Sequence, residues 1–485
     1  MSLSYLTINQ IKQGFKNKDF SCSELVKYYL TRSEVNQDLN AYISLNSVQS
    51  LKQAQEVDKR LKVGKKMKDL EGIPVSIKDV ILTKGLKTTA ASKILADYTA
   101  VYDATLVKRL KEAGVIILGK TNCDEFVMGS SNENSAFGKV LNPWNKSRVP
   151  GGSSGGSAVA VAADLCVFSV GTDTGGSIRQ PAAFCGVVGL KPTYGRVSRY
   201  GLIAMTSSLD QAGPITRTAE EATQVLQVLA GKDIYDSTTT QSRVENYSQA
   251  IKKPVKGLKI GVPKEYFISG MDSEIEKKIQ EAIKEMEKLG TKIKTITLPS
   301  TPFSLATYYI ILTAEVSSNL ARYDGIRYGW QSRVTHSLAD VYQKSRAEGF
   351  GPEVKRRIMM GTYVLSEGYK EAYYRKALKV KQLIKNEYQK AFKEVDVLIT
   401  PTTPTVAFKI GEKFTDPLTM YLSDIYTVAA NIAGICGISL GCGFSKQKLP
   451  IGLQIMGAPF NEATILKLAY HYQQHTNFHQ QHPKI

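Results

Sequence analysis

The stretch Gly72-Ile-Pro-Val-Ser-Ile-Lys-Asp79 has the dense apolar pattern of a buried β-strand. Residues 103–113 follow with helical periodicity, and the apolar run at 115–118 predicts a second strand. The same strand–helix–strand order recurs later in the chain, at 258–262, 272–289 and 293–298. Repeated units of this kind predict a largely parallel sheet that is covered by helices on both faces.

Further elements extend this pattern toward both ends of the chain. Ser21-x-x-Glu24 is a capping box that predicts a helix start, and residues 47–61 keep helical periodicity. Residues 395–399 predict a late strand and residues 421–433 a helix. We therefore predict one α/β domain over residues 1–485, built on a central, mostly parallel mixed sheet. Its expected parts are an N-terminal helical layer at about 1–65, a core at about 66–215 and the rest of the sheet at about 255–470.

The composition is that of a globular protein, with 42% hydrophobic residues and 38 glycines in 485 residues. The net charge of +19 would suit a nucleic-acid partner, but the basic residues are spread along the chain, as at 62–68, in the manner of solvated faces. The first residues lack a signal-peptide pattern, and the longest apolar stretch, 157–171, carries Asp164 and is too short to span a bilayer. These features predict a cytoplasmic protein without membrane contact.

The cysteines form no Cys-x-x-Cys pair, and most lie in apolar or glycine-rich surroundings. Such a pattern predicts buried, reduced thiols and no structural metal. The six residues are Cys22, Cys123, Cys166, Cys185, Cys436 and Cys442.

Two glycine–serine clusters lie close together, Pro150-Gly-Gly-Ser-Ser-Gly-Gly-Ser157 and Gly171-Thr-Asp-Thr-Gly-Gly-Ser-Ile-Arg-Gln-Pro181. A small-residue helical stretch follows each cluster, at 158–163 and 178–183, so the serines are expected at helix N-termini, whose free N–H groups stabilise an anion. A flexible linker and a phosphate loop are weaker interpretations, because apolar helical sequence surrounds the first cluster and no Gly-Lys-Ser/Thr follows either cluster. The clusters therefore favour an oxyanion hole.

The first cluster also matches Gly-x-Ser-x-Gly, the nucleophile elbow of α/β-hydrolases, at 151–155 and at 152–156. A Ser-His-Asp triad needs a histidine inside the fold. Four of the five histidines lie in the last fifteen residues, in a polar tail that we expect to be exposed. The fifth, His336, lies in what reads as an ordinary helical stretch. The histidines therefore disfavour a triad of this type.

If no histidine serves, a lysine can act as the base once burial pulls its pKa toward neutrality. Lys78 is the best placed lysine, because it ends the apolar run of the first predicted strand. The other interpretation is a structural lysine that pairs with Asp79 at the strand end. The residue pattern by itself leaves both interpretations open.

Residues 151–181 closely resemble the signature of the amidase signature family, and residues 72–79 resemble its lysine motif. Lys78 and Ser153 are 75 positions apart, and Ser153 and Ser177 are 24 apart, as in the Lys-Ser-Ser triad of that family. The resemblance covers most of the chain. It implies the amidase signature fold, with Ser177 as nucleophile, Ser153 as proton relay and Lys78 as neutral base.

The resemblance also implies the local geometry of this centre. The peptide bond between Gly152 and Ser153 is expected to be cis, a rare arrangement for a residue other than proline. Backbone N–H groups would form the oxyanion hole, and a covalent acyl-enzyme would precede attack by water. The oxyanion-hole residues implied are Thr174, Gly175, Gly176 and Ser177.

Four further strings, at 88–92, 125–134, 190–201 and 349–358, resemble one branch of the family, the glutaminase subunits of tRNA-dependent amidotransferases. This resemblance implies that the chain hydrolyses glutamine and passes ammonia to a partner protein. The partner would use ATP and Mg²⁺ to convert Glu-tRNA(Gln) to Gln-tRNA(Gln), with Asp-tRNA(Asn) left open as a second substrate. The B and C subunits would complete a heterotrimer, tRNA would bind mainly through the B subunit, and this chain would itself need no cofactor.

A free amino acid as substrate needs a cation for its α-carboxylate and an anion for its α-amino group. The resemblance offers Arg357 and Asp424 for these roles, with Tyr308, Gly129 and Ser130 lining the same pocket. From the residues alone the assignment is open, since Arg356 adjoins Arg357 and Asp424 could cap a helix.

Two residues depart from the family pattern, because Cys436 and Gly441 stand where relatives usually carry proline. Proline fixes backbone angles that these residues leave free, so the shape of a loop near the substrate pocket is in question.

Two other functions fit parts of the same pattern. A stand-alone amidase for small aliphatic or aryl amides would share the triad without needing Arg357 or Asp424. A non-catalytic scaffold is disfavoured, because all three triad residues are present.

Overall fold

The computed structural model of the chain describes residues 2–267 and 271–485. Within these residues the strands are β1 (Tyr42–Leu45), β2 (Pro74–Lys78), β3 (Ile116–Thr121), β4 (Phe168–Thr172), β5 (Val188–Lys191), β6 (Ala212–Thr216), β7 (Lys259–Pro263), β8 (Lys292–Ile296), β9 (Val397–Pro401), β10 (Cys436–Phe444) and β11 (Pro450–Gly457). They form one sheet in the order β1-β3-β2-β4-β6-β5-β10-β11-β9-β7-β8.

The α-helices of the same residues are α1 (Ile8–Asn17), α2 (Cys22–Val35), α3 (Ser47–Lys62), α4 (Thr105–Glu112), α5 (Gly155–Ala162), α6 (Arg179–Cys185), α7 (Ala219–Leu229), α8 (Tyr247–Ala250), α9 (Ser273–Lys288), α10 (Ser304–Leu320), α11 (Leu338–Gly349), α12 (Pro352–Leu365), α13 (Lys376–Ala391), α14 (Pro417–Tyr421), α15 (Val428–Ala433) and α16 (Glu462–Gln474). The predicted capping box starts α2, where Ser21 accepts from the Glu24 N–H and Glu24 accepts from the Ser21 N–H.

Both predicted strand–helix–strand units are confirmed. In the first, α4 connects β2 to β3, and the two strands pair in parallel. In the second, α9 connects β7 to β8, which also pair in parallel. All five residues of β2 are buried, as the continuous apolar run predicted, and this places Lys78 inside the molecule.

The sheet is mixed, as expected, but parallel strands are not the majority. Among the described residues, β2–β3, β2–β4, β7–β8 and β7–β9 pair in parallel, and the other six pairings are antiparallel. The short connection between β10 and β11, at 445–449, allows only an antiparallel hairpin. The expectation of a mostly parallel sheet was wrong because it extended the two predicted units to the centre of the sheet.

Helices cover both faces of the sheet, as β11 illustrates. A Cβ placed on Gly452 would lie 2.5 Å from the Ala183 Cβ of α6, whereas one placed on Gly457 would lie 2.8 Å from Ile465 of α16. Residues of opposite parity along a strand point to opposite faces, so α6 and α16 lie on different sides of the sheet. Glycine at 452 lets the small residues of α6 approach the strand closely, and this contact fixes the position of the loop before α6.

Two local predictions in helical segments were wrong. The helix predicted at 421–433 is interrupted, since α14 ends at Tyr421, a 3₁₀ turn follows at Leu422–Asp424, and α15 starts at Val428. His336 is exposed and lies before α11, where its N–H donates to Asp340 and Ser337 caps the helix. The Ser337 cap thus makes the helix begin at Leu338, after His336.

The remaining corrections concern β10 and the histidine tail. Cys436 and Gly441 lie within β10 and not in a loop, and Gly441 adjoins a β-bulge in the β10–β11 ladder. Proline inside this paired strand would remove a ladder donor. The tail was expected to be exposed, but the His482 ring stacks on Tyr5 at 3.6 Å and is only partly accessible.

The thiols behave as the sequence predicted. All six cysteines are buried and unpaired, and burial raises the pKa of each. In the part of the chain that the structure describes, no helix combines the length and apolar character needed to cross a bilayer.

Candidate active site

The three residues of the proposed triad lie at the ends of buried elements. Lys78 ends β2, Ser153 lies two residues before α5, and Ser177 lies two residues before α6. The Gly152–Ser153 peptide bond is cis, as the resemblance predicted. The N–H of Ser154 donates to the Ser177 carbonyl at 3.1 Å, so the two glycine–serine loops lie against each other.

Glycine is required in both loops. A Cβ on Gly152 would lie 2.1 Å from the Asp124 carboxylate. Gly176 has a φ of +136°, and a Cβ there would lie 2.2 Å from Thr427 Oγ1. The glycine clusters that mark the sequence therefore permit close backbone approach around the two serines.

Lys78 lies in a pocket of hydroxyl groups. Its Nζ is 2.8 Å from Ser153 Oγ, 2.8 Å from Ser154 Oγ and 2.9 Å from Thr172 Oγ1. The side chain is fully buried, and this burial lowers its pKa to about 8, against the opposing effect of nearby carboxylates. Asp79 pairs instead with Lys120, at 3.4 Å. The structural interpretation in which Lys78 pairs with Asp79 is thereby excluded.

The hydroxyl geometry can accommodate Lys78 in its neutral as well as its charged form. Ser154 Oγ donates its proton to the Thr172 carbonyl at 3.0 Å, so toward Lys78 it can only accept. A neutral amine has two N–H donors and one lone pair, whereas an ammonium has three donors. A neutral Lys78 can therefore donate to two hydroxyls and accept the proton of the third, for which Ser153 is available.

Ser177 lies at the edge of this cluster and is 8% exposed, in contrast to Ser153, which is fully buried. The Ser177 hydroxyl makes no hydrogen bond to any of the described residues. Of the two hydroxyls, that of Ser177 is therefore the more accessible to a bound molecule.

One amide of the predicted oxyanion hole is already engaged. The Gly176 N–H donates to Asp173 Oδ1 at 2.9 Å. The N–H groups of Thr174, Gly175 and Ser177 make no hydrogen bond to acceptors in the described residues. The folded loop thus uses the Gly176 amide to bind Asp173, and the N–H groups of the other three predicted residues remain available as donors.

Asp173 anchors this loop through a fully buried ion pair. Arg179 donates to its carboxylate from Nε at 3.0 Å and from Nη2 at 3.1 Å. Burial raises the pKa of Asp173, but Arg179 and further donors outweigh this effect and hold the pKa at about 2. Arg179 also reaches Asn431 and Gln454, so the loop is tied to α15 and β11.

A second polar cluster surrounds Asp424. Its Oδ2 accepts from Ser130 Oγ at 2.7 Å and from the Tyr309 hydroxyl at 3.2 Å. Its Oδ1 makes no hydrogen bond to the described residues. Burial raises the pKa of Asp424 to about 7. A cation bound to this carboxyl would therefore stabilise its ionised form.

Arg357 lies beside this carboxyl. Its Nε donates to Glu353 at 2.8 Å, and its guanidinium lies 5.4 Å from the ring centroids of both Tyr309 and Tyr421. Within the described residues its Nη atoms have no hydrogen-bond acceptor. The guanidinium of Arg357 is thus held through Nε, while Nη1 and Nη2 have no partner among the described residues.

The remaining predicted pocket residues lie around these groups. Gly129 borders a cavity that Glu353, Arg357 and Tyr421 also line. Tyr308 packs on the oxyanion loop, since a Cβ on Gly175 would lie 2.5 Å from its hydroxyl. The structure therefore places every predicted site residue around one of two adjacent clusters, although their roles stay predictions.

Sequence reasoning missed Tyr309, Tyr421 and Glu353. Tyr309 lies between Arg357 and Asp424, which no local pattern indicates. The four-residue spacing of Glu353 and Arg357 on a helix is a signal that could have been used. In the described residues no group of three or more His, Cys, Asp and Glu side chains could hold a metal ion.

Comparisons with known proteins agree with this geometry. The Amidase family model matches residues 24–466. A protein of Geotalea daltonii that is named as the A subunit of glutamyl-tRNA(Gln) amidotransferase is 54% identical over 480 residues, which cover 99% of each chain. The crystal structure of the corresponding A subunit from Thermotoga maritima is 42% identical, with a TM-score of 0.80 over 97% of this chain and 94% of that one. The native peptide amidase of Stenotrophomonas maltophilia is 31% identical, with a TM-score of 0.82 over 97% of each chain. The family expected from the sequence is confirmed, and this chain belongs to the Amidase family.

Proposed function

We propose that this chain is the glutamine-hydrolysing component of a glutamyl-tRNA(Gln) amidotransferase. One observation carries the proposal. The Arg357 Nη atoms and Asp424 Oδ1, which have no hydrogen-bond partners in the described residues, lie near the buried Lys78–Ser153 cluster. Relatives that are 52–54% identical over the full length of the chain are named as the A subunit of this enzyme, which supports the same assignment.

In the proposed reaction, Ser177 Oγ attacks the side-chain carbonyl carbon of glutamine. The Ser177 proton passes to Ser153 Oγ as the Ser153 proton passes to the neutral Nζ of Lys78. The hydroxyl geometry around Lys78 supports this direction, because Ser154 is committed as an acceptor. The tetrahedral intermediate then carries one negative charge on the former carbonyl oxygen.

The N–H groups of Thr174, Gly175 and Ser177 would bind this oxyanion, where loss of one donor costs about 3 kcal/mol. Collapse of the intermediate breaks the C–N bond, and the Lys78 proton returns through Ser153 to the leaving nitrogen as ammonia. A water molecule then attacks the glutamyl ester of Ser177 as the same relay takes its proton. The bond between the acyl carbon and Ser177 Oγ breaks, the relay returns the proton to Oγ, and glutamate leaves.

Arg357 and Asp424 would recognise the amino acid rather than the amide. The unpaired Nη atoms of Arg357 suit the α-carboxylate as a planar pair of donors, and Asp424 Oδ1 suits the α-ammonium group. Ser130 and Tyr309 orient Asp424 through its other oxygen. Tyr308 and Gly129 complete the pocket wall on the sides of the oxyanion loop and α12.

The rest of the synthesis would take place outside this chain. The B and C subunits would complete a heterotrimer, in which a partner would use ATP and Mg²⁺ to activate glutamate on tRNA. Binding of tRNA would occur mainly through the B subunit, in the cytoplasm, and this chain would supply ammonia with no cofactor of its own. The relatives are named as one component of a larger enzyme, which supports a multi-subunit assembly.

A stand-alone amidase is the competing function, and the fold is shared with a peptide amidase. Such an enzyme has no need for a paired cation and anion facing its substrate pocket. The buried Arg357, together with the Asp424 carboxyl, therefore argues for a free amino acid as substrate.

The test is to recover the tagged chain from its native cells with the proteins that copurify, and to supply Glu-tRNA(Gln), ATP and glutamine. Formation of Gln-tRNA(Gln) is expected, and a Ser177→Ala variant should lose ammonia release from glutamine while keeping the thermal stability of the parent. Hydrolysis of simple amides without conversion of tRNA would favour the stand-alone amidase. Ammonia release by Ser177→Ala would contradict the mechanism.

A further inference from the structure

Glu125 is a buried carboxyl that the mechanism does not use. It follows Asp124 and is 3% exposed. Its Oε1 accepts from Ser92 Oγ at 2.5 Å, and its Oε2 accepts from the Gly351 N–H at 2.8 Å. Gly351 is the N-cap residue of α12, the helix that carries Arg357. The carboxyl thus binds the capping residue of the helix whose second turn presents the guanidinium.

The fit between Glu125 and α12 is close. A Cβ on Gly351 would lie 2.3 Å from Glu125 Oε2, so only glycine allows this approach. The neighbouring Phe126 ring packs edge-on against Phe350, with centroids 5.6 Å apart. A carboxylate at the N-terminus of a 14-residue helix is also favoured by the exposed N–H groups of its first turn.

The segment that carries Glu125 also carries Ser130, which binds Asp424. Asp124 accepts from the N–H groups of Asn132 and Asn134 and so shapes the turn on which Ser130 meets Asp424. Phe126 and Val127 adopt left-handed backbone angles, with φ of 46° and 67°, and this reverses the chain directly after Glu125. Two adjacent carboxylates therefore point in different directions, one toward the Ser130 turn and one toward α12.

We propose that Glu125 is a positioning residue that sets the preference for an α-amino acid amide by fixing α12, and with it Arg357, at the distance from Asp424 that glutamine requires. This inference rests on the glutaminase function proposed above. Loss of Glu125 would release the start of α12, where Glu353 holds Arg357 Nε, whereas the rest of the helix would stay packed along α10. The catalytic serines and Lys78, on other elements, would keep their positions.

The test compares two substrates that share the amide but differ in the α groups. Butyramide is glutamine without its α-amino and α-carboxylate groups, so it does not need Arg357 or Asp424. Steady-state ammonia release is measured for both, with the protein purified together with the proteins that accompany it. For Glu125→Ala we expect the KM for glutamine to rise about tenfold, while kcat/KM for butyramide stays within about twofold.

Glu125→Gln is expected to restore near-parental kinetics. A glutamine side chain can still accept the Gly351 N–H, and burial raises the pKa of Glu125 to about 7, so a neutral group is tolerated near neutral pH. Gly351→Ala provides a second variant that leaves Glu125 intact. Its φ of −71° suits alanine, yet the added methyl group pushes α12 away from the carboxyl, and the same selective rise in KM is expected.

Glu221→Ala is the matched control. Glu221 is also a buried glutamate in the first turn of a helix, α7, where it accepts from Thr218 and Ile8. It should leave the KM for glutamine unchanged.

Equal losses for both substrates in Glu125→Ala, or no change in either, would overturn the positioning role. A parent protein whose kcat/KM for butyramide equals its kcat/KM for glutamine would instead overturn the proposed glutaminase function. The two failures are thereby distinguished.

Discussion

Replacement of Thr172 by valine tests the proton chemistry of Lys78 without touching a proposed catalytic group. In the parent, three hydroxyl oxygens match the three N–H donors of an ammonium, and Thr172 Oγ1 is one of them, at 2.9 Å. Valine keeps the shape and removes this acceptor. The ammonium form of Lys78 then loses a hydrogen bond worth about 2.5 kcal/mol and the neutral amine loses one worth about 1 kcal/mol, so the charged form suffers a net loss of about 1.5 kcal/mol.

A loss of this size corresponds to about one pKa unit. The pKa of Lys78 is about 8 in the parent, so in Thr172→Val it should fall to about 7. Because the neutral amine is the active form, kcat/KM rises with pH and levels off above the pKa of Lys78. A lower pKa therefore shifts this rise to lower pH, and at pH 7 the neutral fraction grows from about one tenth to about one half.

The assay is ammonia release from glutamine at substrate concentrations well below KM, over pH values on both sides of the expected inflection. Asp424, whose pKa burial raises to about 7, contributes equally to parent and variant, so the difference between the two profiles isolates Lys78. Thr216→Val is the control, because Thr216 is equally buried, lies in β6 beside β4 and donates only to the Thr218 carbonyl. An inflection that stays in place or moves to higher pH in Thr172→Val would refute the reasoning.

Two further substitutions and one labelling experiment test other features of the molecule. Arg179→Met leaves the Asp173 carboxylate buried without its partner. Urea titrations should show a free energy of unfolding lower by about 3–5 kcal/mol. A loss below about 1 kcal/mol would show that this ion pair does not anchor the loop. Arg357→Lys replaces a planar fork by a point charge, and we expect a rise of about tenfold in the KM for glutamine without a change for butyramide, measured by ammonia release. The six buried thiols, whose pKa values burial raises, should react with a disulfide reagent only after denaturation, and rapid labelling of the native protein would show that a thiol is accessible.

The fold was predictable where strands that are consecutive in the chain are also neighbours in the sheet. The unit from β2 to β3 and the unit from β7 to β8 were both expected within a few residues of their observed bounds, because a continuous apolar strand and an amphipathic helix have distinct periods. The centre of the sheet was not predictable in this way. Strands β6 and β10 are rich in glycine and small residues, and the antiparallel pairing of β5 with β10 joins segments far apart in the chain.

The site was predictable only in part from the residues. The glycine–serine loops stand out by their composition, whereas Lys78 was singled out by its place at the end of an apolar run and by the family resemblance. By contrast, the contact of Tyr309 with both Arg357 and Asp424 joins α10, α12 and a 3₁₀ turn, and it exists only after helix packing. The capture of the Gly176 amide by Asp173 was likewise invisible, since it depends on how the loop folds back on itself.

The proposed assignment places the hydrolytic groups and most of the substrate-binding groups in different parts of the chain. The serines and Lys78 lie on the sheet and its adjoining loops between residues 78 and 177. Most groups that would bind the α-carboxylate and α-ammonium of the substrate lie between residues 304 and 424, on α10, α12 and the turn before α15. Changes in the second segment can alter substrate range and leave the hydrolytic apparatus unaltered. Enzymes of this architecture can therefore diversify by exchanging one layer of helices, and the same division offers a natural boundary for building chimaeras with altered amide specificity.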